Sequence, residues 1–424
     1  MKGPGFLDKL LAGTDVEWHA LADIFHIKNG YTPSRSKKEY WENGSVPWFR
    51  MDDIRANGQV LYHSLLQVSE SAVKGGKLFP ANSMIIATSA TIGEHALIGV
   101  PYLANQRFTN LTLKDDFAHR FIDKFLFYYG FRLATWCQRN TTKSSFASVD
   151  MDGFRRFQIP IPCPNDVERS LEIQTEIVRI LDLFTELTAE LTAELTARRK
   201  QYKYYRDRLL GFEGIDVEWR TLDEIGEFIR GRRFTKADYV DEGIAAIHYG
   251  EIYTHYGVYA HETLSKVRSD MADSLRYAEP NDVVIAGVSE TIEDVGKAVA
   301  WLGEEKVAIH DDSYAFRHKM NPKFIAYAMQ TDAFHDQKAK HVSSGKIKRL
   351  LIDGIKKVTL PVPYPNDPEK SLEEQARIVA ILDKFNTLTN SLSEGLPREI
   401  KLRQQQYEYY RDLLLSFPKP EEAA

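Results

Sequence analysis

PNDVERSLEIQTEIVRILDLF spans residues 164–184, and PNDPEKSLEEQARIVAILDKF spans 365–385, an offset of 201. In the first copy Ile173, Ile177, Ile180, Phe184, Leu187 and Leu191 step alternately by four and three. That is the heptad seam of a coiled coil. Leu195 follows by a further four within the tandem LTAELTAELTA, a stutter that locally unwinds a supercoil, and Tyr202, Tyr205, Leu209 and Phe212 then resume. Ser170 is the expected N-cap. A helix over 167–212 would measure roughly 70 Å, too long for the interior of one compact domain.

The second copy runs Ile378, Ile381, Phe385, Leu388, Leu392, Leu396, then Tyr407, Tyr410, Leu414 and Phe417. Here SEGLPREI places Gly395 and Pro397 in mid-helix, so a kink or short break is expected near them. Each seam could pack only on its own domain. Two matching seams in one chain instead predict that the helices bury each other's stripe.

The repeat extends outward. DVEWHALADI at Asp15 matches DVEWRTLDEI at Asp216, and VDMDGFRRFQIPIP at Val149 matches LIDGIKKVTLPVP at Leu351. Beyond the helices, QYKYYRDRLLGF at Gln201 matches QYEYYRDLLLSF at Gln406, an offset of 205, so the second copy holds four extra residues. The expected organisation is an N-terminal helical tail (1–15), a first globular half (16–163), a first spacer helix (164–213), a second half (214–364), a second spacer helix (365–418) and a C-terminal tail (419–424). Each half reads as mixed α and β. SMIIAT (83–88) and DVVIAGV (282–288) are strand-like, while 121–138 and 322–340 are helical. The fold class is therefore α+β: two similar α/β domains, two long antiparallel coiled-coil helices and a pseudo-twofold internal repeat.

Bulk properties exclude several classes. The chain has 424 residues, 43% hydrophobic and 27% charged, with net charge −5. Two or more soluble domains follow. No apolar run reaches the length of a membrane span, and MKGPGFLDKLLAG lacks the apolar core of a signal peptide. Cys137 and Cys163 fit neither a metal site nor a disulfide framework, and a cytoplasmic location is expected. There is no GxxxxGK[ST] loop, G-x-G-x-x-G fingerprint, HExxH or G-x-S-x-G, so nothing marks an enzyme, and no catalytic, cofactor or metal residue is assigned. NPKF at Asn321 reads as a helix start rather than a methyltransferase motif.

Three loop regions per half combine basic, hydroxyl and amide side chains. The first comprises Lys28, Tyr31, Thr32, Ser34, Arg35 and Lys37, against Arg230, Arg232, Arg233, Thr235 and Lys236, with Gly30 and Gly231 opening the turns. The second comprises Thr88, Ser89 and Thr91, followed by Gln106 and Arg107, against Ser289, Glu290 and Thr291. The third comprises Lys143 and Ser144, against Ser343, Ser344, Lys346 and Lys348. Such groups suit phosphate oxygens and base edges. Solvated loops and structural hairpin hydroxyls are the alternatives; recurrence at fixed positions in the frame favours DNA contact.

These marks resemble the specificity subunit of type I restriction-modification enzymes over essentially the whole chain. They are the duplicated IPIPCPNDVERSLEIQTEIVRILD and LPVPYPNDPEKSLEEQARIVAILD, the TAEL tandem, the YYRDRLL and YYRDLLL helix ends, GYTPSR and ATSATIGEHA. The tandem is most similar to the IC subfamily. The resemblance implies two target recognition domains, each binding half of a split, asymmetric site in double-stranded DNA. It further implies two modification subunits that bind S-adenosylmethionine and methylate adenine, and restriction subunits that use ATP and Mg. This chain would itself be non-catalytic. A fused-domain methyltransferase would need motifs that are missing. A coiled-coil scaffold with two protein-binding modules would explain the seams but not the paired loops.

Overall fold

The computed structural model describes residues 10, 13, 15–142, 147–212, 214–391 and 393–418. The chain forms two compact units, Met1–Ala189 with Leu402–Ala424, and Glu190–Lys401. Each unit therefore holds one globular half and a portion of both spacer helices.

The two halves have the same main sheet. In the first, the strand order is Phe25–Asn29, Phe108–Leu113, Ser83–Ala87, His95–Ile98 and Val60–Leu61. In the second it is Gly226–Arg230, Ser313–His318, Val283–Ala286, Ala298–Trp301 and Tyr259–Ala260. Neighbours are antiparallel except the last pair, which is parallel in both halves. SMIIA and VVIA are buried on both faces, which is why they read as unbroken apolar runs rather than alternating ones. A smaller sheet accompanies each: three strands in the first half, four in the second.

The repeated frame motifs close each half. Val16–Ala20 pairs antiparallel with Gln158–Pro162, placing Trp18 opposite Pro160. Val217–Thr221 pairs with Thr359–Pro363, placing Trp219 opposite Pro361. A two-stranded ribbon tolerates prolines because each strand has a free edge. A turn through Cys163 (φ 49) or Tyr364 (φ 47) then leads into the spacer helix.

The first spacer helix is continuous from Val167 to Leu209, stutter included. Its cap is Asp166, which accepts the Arg169 N–H at 2.9 Å, not the expected Ser170. Ser170 is buried, and its hydroxyl accepts from Gln174 at 3.3 Å. Ser170, Ile173, Gln174, Ile177, Val178 and Leu181 are all buried, a wider stripe than the seam. The extra width serves the core of the first half. The seam residues beyond it pair with the other helix. In the first unit Phe184 stacks on Tyr410 (5.4 Å between centroids); in the second Tyr205 stacks on Phe385 (5.6 Å), and Arg199 reaches the Thr389 carbonyl at 3.5 Å. Since 205 lies by 385 and 199 by 389, the pairing is antiparallel.

The second spacer helix is interrupted, slightly before the expected place. It runs Pro368–Asn390 and then Gly395–Leu414. Pro397 falls in the first turn of the new segment, where its missing N–H costs nothing. The two segments, of 23 and 20 residues, together match the 43 residues of the uninterrupted helix. The four extra residues of this copy are thus accounted for by the interruption. Leu392 lies outside the described residues, as does most of each terminal tail.

The helical stretch expected at 322–340 is two helices, Pro322–Ala328 and Asp332–Ala339, because Thr331 caps the second through its hydroxyl. NPKF starts the first, with Asn321 Oδ1 accepting from Lys323 and Phe324. Among the described residues no helix is long and apolar enough to cross a membrane.

Candidate DNA-recognition surface

In each half the loops singled out from sequence meet at one end of the main sheet. Phe25–Asn29 and Ser83–Ala87 both run antiparallel to Phe108–Leu113, with Asn29 opposite Thr109 and Ala87 opposite Phe108. The C-terminal ends of the first two strands and the start of the third therefore share an edge. Thr88 donates to or accepts from Thr109 at 2.9 Å, and Thr109 donates to Asn29 Oδ1 at 3.1 Å. The third region joins by a bridge between Ser89 and Ser148. The second half repeats the plan. Arg230 lies opposite Tyr314, Ala286 opposite Ser313, and Ser289 opposite Lys348.

Within the first half, Lys28, Arg35 and Arg107 are exposed and have no side-chain hydrogen-bond or ion-pair partner among the described residues. Thr32 touches the Gln106 side-chain oxygen, and Asn105 reaches Thr32 at 3.4 Å. Other candidates are used by the fold. The Tyr31 hydroxyl donates to Ala72 O at 3.1 Å and accepts from Lys74 N at 2.9 Å. Ser34 pairs with Ser36 at 2.8 Å, and Lys37 donates to Tyr40 at 3.1 Å, which raises the lysine's pKa. Thr91 sits in the turn that follows Ala90, whose φ of 65 is left-handed without being glycine. Lys143 and Ser144 lie outside the described residues.

Within the second half, Arg232, Arg233, Lys236, Glu290, Ser344 and Lys346 are exposed, and their side chains have no hydrogen-bond or ion-pair partner among the described residues. Arg230 donates to Asp311 O at 3.0 Å. Thr235 and Asp238 form a capping box that holds the Asp238 carboxyl below its ordinary pKa. Thr291 donates to Asp294 at 2.8 Å and accepts from its N–H, and Ser289 accepts from Thr291 N at 3.4 Å. Ser343 accepts from Arg349 N at 2.9 Å and closes its own turn; Lys348 is in the adjoining strand.

Sequence reasoning passed over several residues at this edge. Arg349 pairs with Asp312 at 3.2 Å. His310, Asp311 and Asp312 hold the place of Asn105, Gln106 and Arg107 but share no residue type with them. Their ligand atoms lie within 4.8 Å of one another, yet Arg349 already engages Asp312 and Nδ1 of His310 accepts the Asp312 N–H at 3.1 Å. Lys338 is also new. It is 1% exposed and donates to Glu293 O at 2.7 Å and Val295 O at 2.5 Å, bracing the loop that carries Ser289, Glu290 and Thr291. Burial pushes its ammonium down to about 8. In the first half Gln138 braces the matching loop by donating to Ile92 O at 3.3 Å.

A duplicated α+β scaffold, with unlike loops at matched sheet ends and paired antiparallel helices, defines a two-module recognition protein. The family model for the type I restriction modification DNA specificity domain matches twice, at residues 14–198 and 214–402. The chain belongs to this family, whose subunits are not themselves catalytic. It is similar to the Escherichia coli type I restriction enzyme EcoprrI specificity subunit, with 46% identity covering 92% of each chain. It also resembles the E. coli EcoR124I/EcoR124II specificity subunit, with 34% identity over 99% of each. A solved structure from work on complex assembly and conformational transition of the type I R-M system shares the fold. Its TM-score is 0.64 at 14% identity, covering 94% of this chain and 97% of that one.

Proposed function

We propose that this specificity subunit binds an asymmetric, bipartite site in double-stranded DNA, one half-site for each globular half, 16–163 and 214–364. The sheet-end loops contact the DNA, and the spacer helices offer two similar docking surfaces to two modification subunits, with restriction subunits joining them. S-adenosylmethionine, ATP and Mg belong to those partners. The observation that carries this reading is the pair of matched sheet ends: one backbone plan, two different sets of unsatisfied polar side chains.

Arg35→Ala and the double variant Arg232→Ala/Arg233→Ala test it. Assembled with modification subunits, each should weaken binding through one half-site only. A phosphate contact should make the salt dependence shallower by about one unit per charge removed. A guanine contact should instead remove about 1–3 kcal/mol of discrimination at one base. Unchanged binding and an unchanged methylated motif in both would sink the assignment of these loops.

A further inference from the structure

One turn is built identically in both halves and differs only in what it presents. Gly30 N donates to Phe108 O at 2.9 Å and Tyr31 N to Ala104 O at 2.8 Å; Gly231 N donates to Ser313 O at 3.0 Å and Arg232 N to Ile309 O at 3.0 Å. A Cβ on Gly30 would collide with the Ala104 and Asn105 carbonyls, and one on Gly231 with those of Ile309 and His310. These contacts fix the register: Ala104 matches Ile309 and Phe108 matches Ser313, with three residues between in each case. Inside the turn, Asn105 Oδ1 accepts the Arg107 N–H at 2.9 Å, and His310 Nδ1 accepts the Asp312 N–H at 3.1 Å. The third residue's carbonyl is held by the neighbouring loop in both, Thr88 N to Arg107 O at 3.1 Å and Gly287 N to Asp312 O at 2.8 Å.

The middle residue of this turn is Gln106 in one half and Asp311 in the other. A primary amide offers a donor and an acceptor side by side, the complement of adenine N6 and N7. A carboxylate only accepts, which suits the cytosine N4 amino group and opposes the two acceptors of guanine. Thr32, in contact with the Gln106 oxygen, orients that amide. Asp311 keeps accepting capacity because the nearby His310 Nδ1 is itself accepting a hydrogen bond. Arg230 and Arg349 lie beside the acidic turn and offset its repulsion of phosphates.

We propose that this middle residue sets the identity of one base in each half-site, Gln106 reading adenine in the first and Asp311 reading cytosine in the second. The inference rests on the DNA-recognition reading above. It adds that equivalent positions of the two halves act as interchangeable readers.

The test is selection from randomised duplexes by the complex with its modification subunits, comparing wild type, Gln106→Asp, Gln106→Ala and Asp311→Gln. Gln106→Asp should change one first-half-site base from adenine to cytosine, with preference altered about tenfold to a hundredfold. Asp311→Gln should make the reverse change at one second-half-site base. Gln106→Ala should relax the same base that Gln106→Asp alters. Each variant should leave the other half-site untouched. An unaltered base preference in Gln106→Asp or Asp311→Gln overturns the proposal, as does uniformly weaker binding without altered preference, which would mark a phosphate contact. In both outcomes half-site binding itself survives. If these variants and Arg107→Ala all bind every duplex as wild type does, the DNA reading of this sheet end fails as well.

Discussion

Asp182 receives Lys124 and Tyr128 at 2.7 Å each; Asp383 receives Lys323 at 2.8 Å and Tyr327 at 2.7 Å. Gln174 accepts from Ile122 N at 3.0 Å, and Gln375 from Asn321 N at 2.8 Å. Where each half meets its spacer helix, the repeat thus holds down to single hydrogen bonds. At the loop-bearing end the backbone plan survives, but Gln106 corresponds to Asp311 and Arg107 to Asp312. The difference separates two requirements. A half must fit its helix in one way, since the buried Gln174 and Gln375 amides would be left without partners in any other. At the loop end the shared contacts are to backbone atoms, as where Arg107 O and Asp312 O accept from the neighbouring loop, so the exposed side chains are free to differ.

The largest expected effect comes from exploiting that separation. Replacing residues 20–150 by the corresponding segment of another specificity subunit should change one half of the methylated motif completely and leave the other intact. Methylome sequencing of cells carrying the hybrid reads this directly. Change in both halves would break the comparison, because the loop ends would then not be independent.

A second contrast lies between the braces of the two matching loops, neutral Gln138 and cationic Lys338. Below about pH 8, folded and unfolded Lys338 both hold their proton, and the folded state bears the full cost of a buried charge. Between about 8 and the ordinary lysine value the unfolded chain binds the proton and the folded one does not. Stability contributed by this group therefore rises with pH through that window. Relative to Lys338→Met, the wild type should gain about 1–3 kcal/mol from pH 8 to pH 10.5. Urea unfolding of both proteins at several pH values measures it; a flat or falling difference would mean that the ammonium is not desolvated. Gln138→Met should show no such slope.

An effect of similar size is expected at the helix junction. Asp182→Ala and Asp383→Ala should each destabilise by about 1–3 kcal/mol, the scale of hydrogen bonds to a charged group. Lys124 is 45% exposed against 19% for Lys323, so solvent screening should leave the second loss slightly larger. Hydrogen exchange in Asp123–Arg139 and Pro322–Ala328 resolves the two halves separately. A loss confined to one of them would show that the matched geometry hides unmatched energetics.

Much of this architecture was legible because periodicity and duplication are properties of the chain itself. The seams through Phe184 and Phe385 predicted that the two helices pair, and the paired frame motifs predicted two like halves. Other features were not, for definite reasons. Ser170 and Asp166 are both good caps, and only the buried hydroxyl–amide pair with Gln174 decides between them. Gln174 and Gln375 are polar residues inside an apolar stripe, and pattern reading discounts such positions. Tyr31, Thr235, Thr291 and Ser343 looked like ligand-seeking hydroxyls, but the fold consumes them in turns and caps. The match between NQR and HDD rests on backbone hydrogen bonds, two glycines and a turn-closing acceptor that is an amide in one half and an imidazole in the other, so a comparison of residue types does not reveal it.

The two spacer helices supply the smallest contrast. In a continuous helix, Gly→Ala stabilises by roughly 0.5–1 kcal/mol. Gly395 instead begins the second segment at φ 78, and a Cβ there would collide with the Thr387 carbonyl oxygen and lie 2.8 Å from that of Leu388. Left-handed backbone costs a non-glycine residue about 1 kcal/mol before any clash. Gly395→Ala should therefore destabilise by about 1–2 kcal/mol, opposite in sign to the helical rule. Ala193, exposed within the unbroken first helix, follows that rule, so Ala193→Gly should cost roughly 0.5–1 kcal/mol. Each helix should thus prefer its own member of the same pair of residues. Paired thermal melts of the two variants provide the check. A stabilising Gly395→Ala would mean that the second helix runs unbroken through residue 395, and the four extra residues would then lengthen it instead of interrupting it.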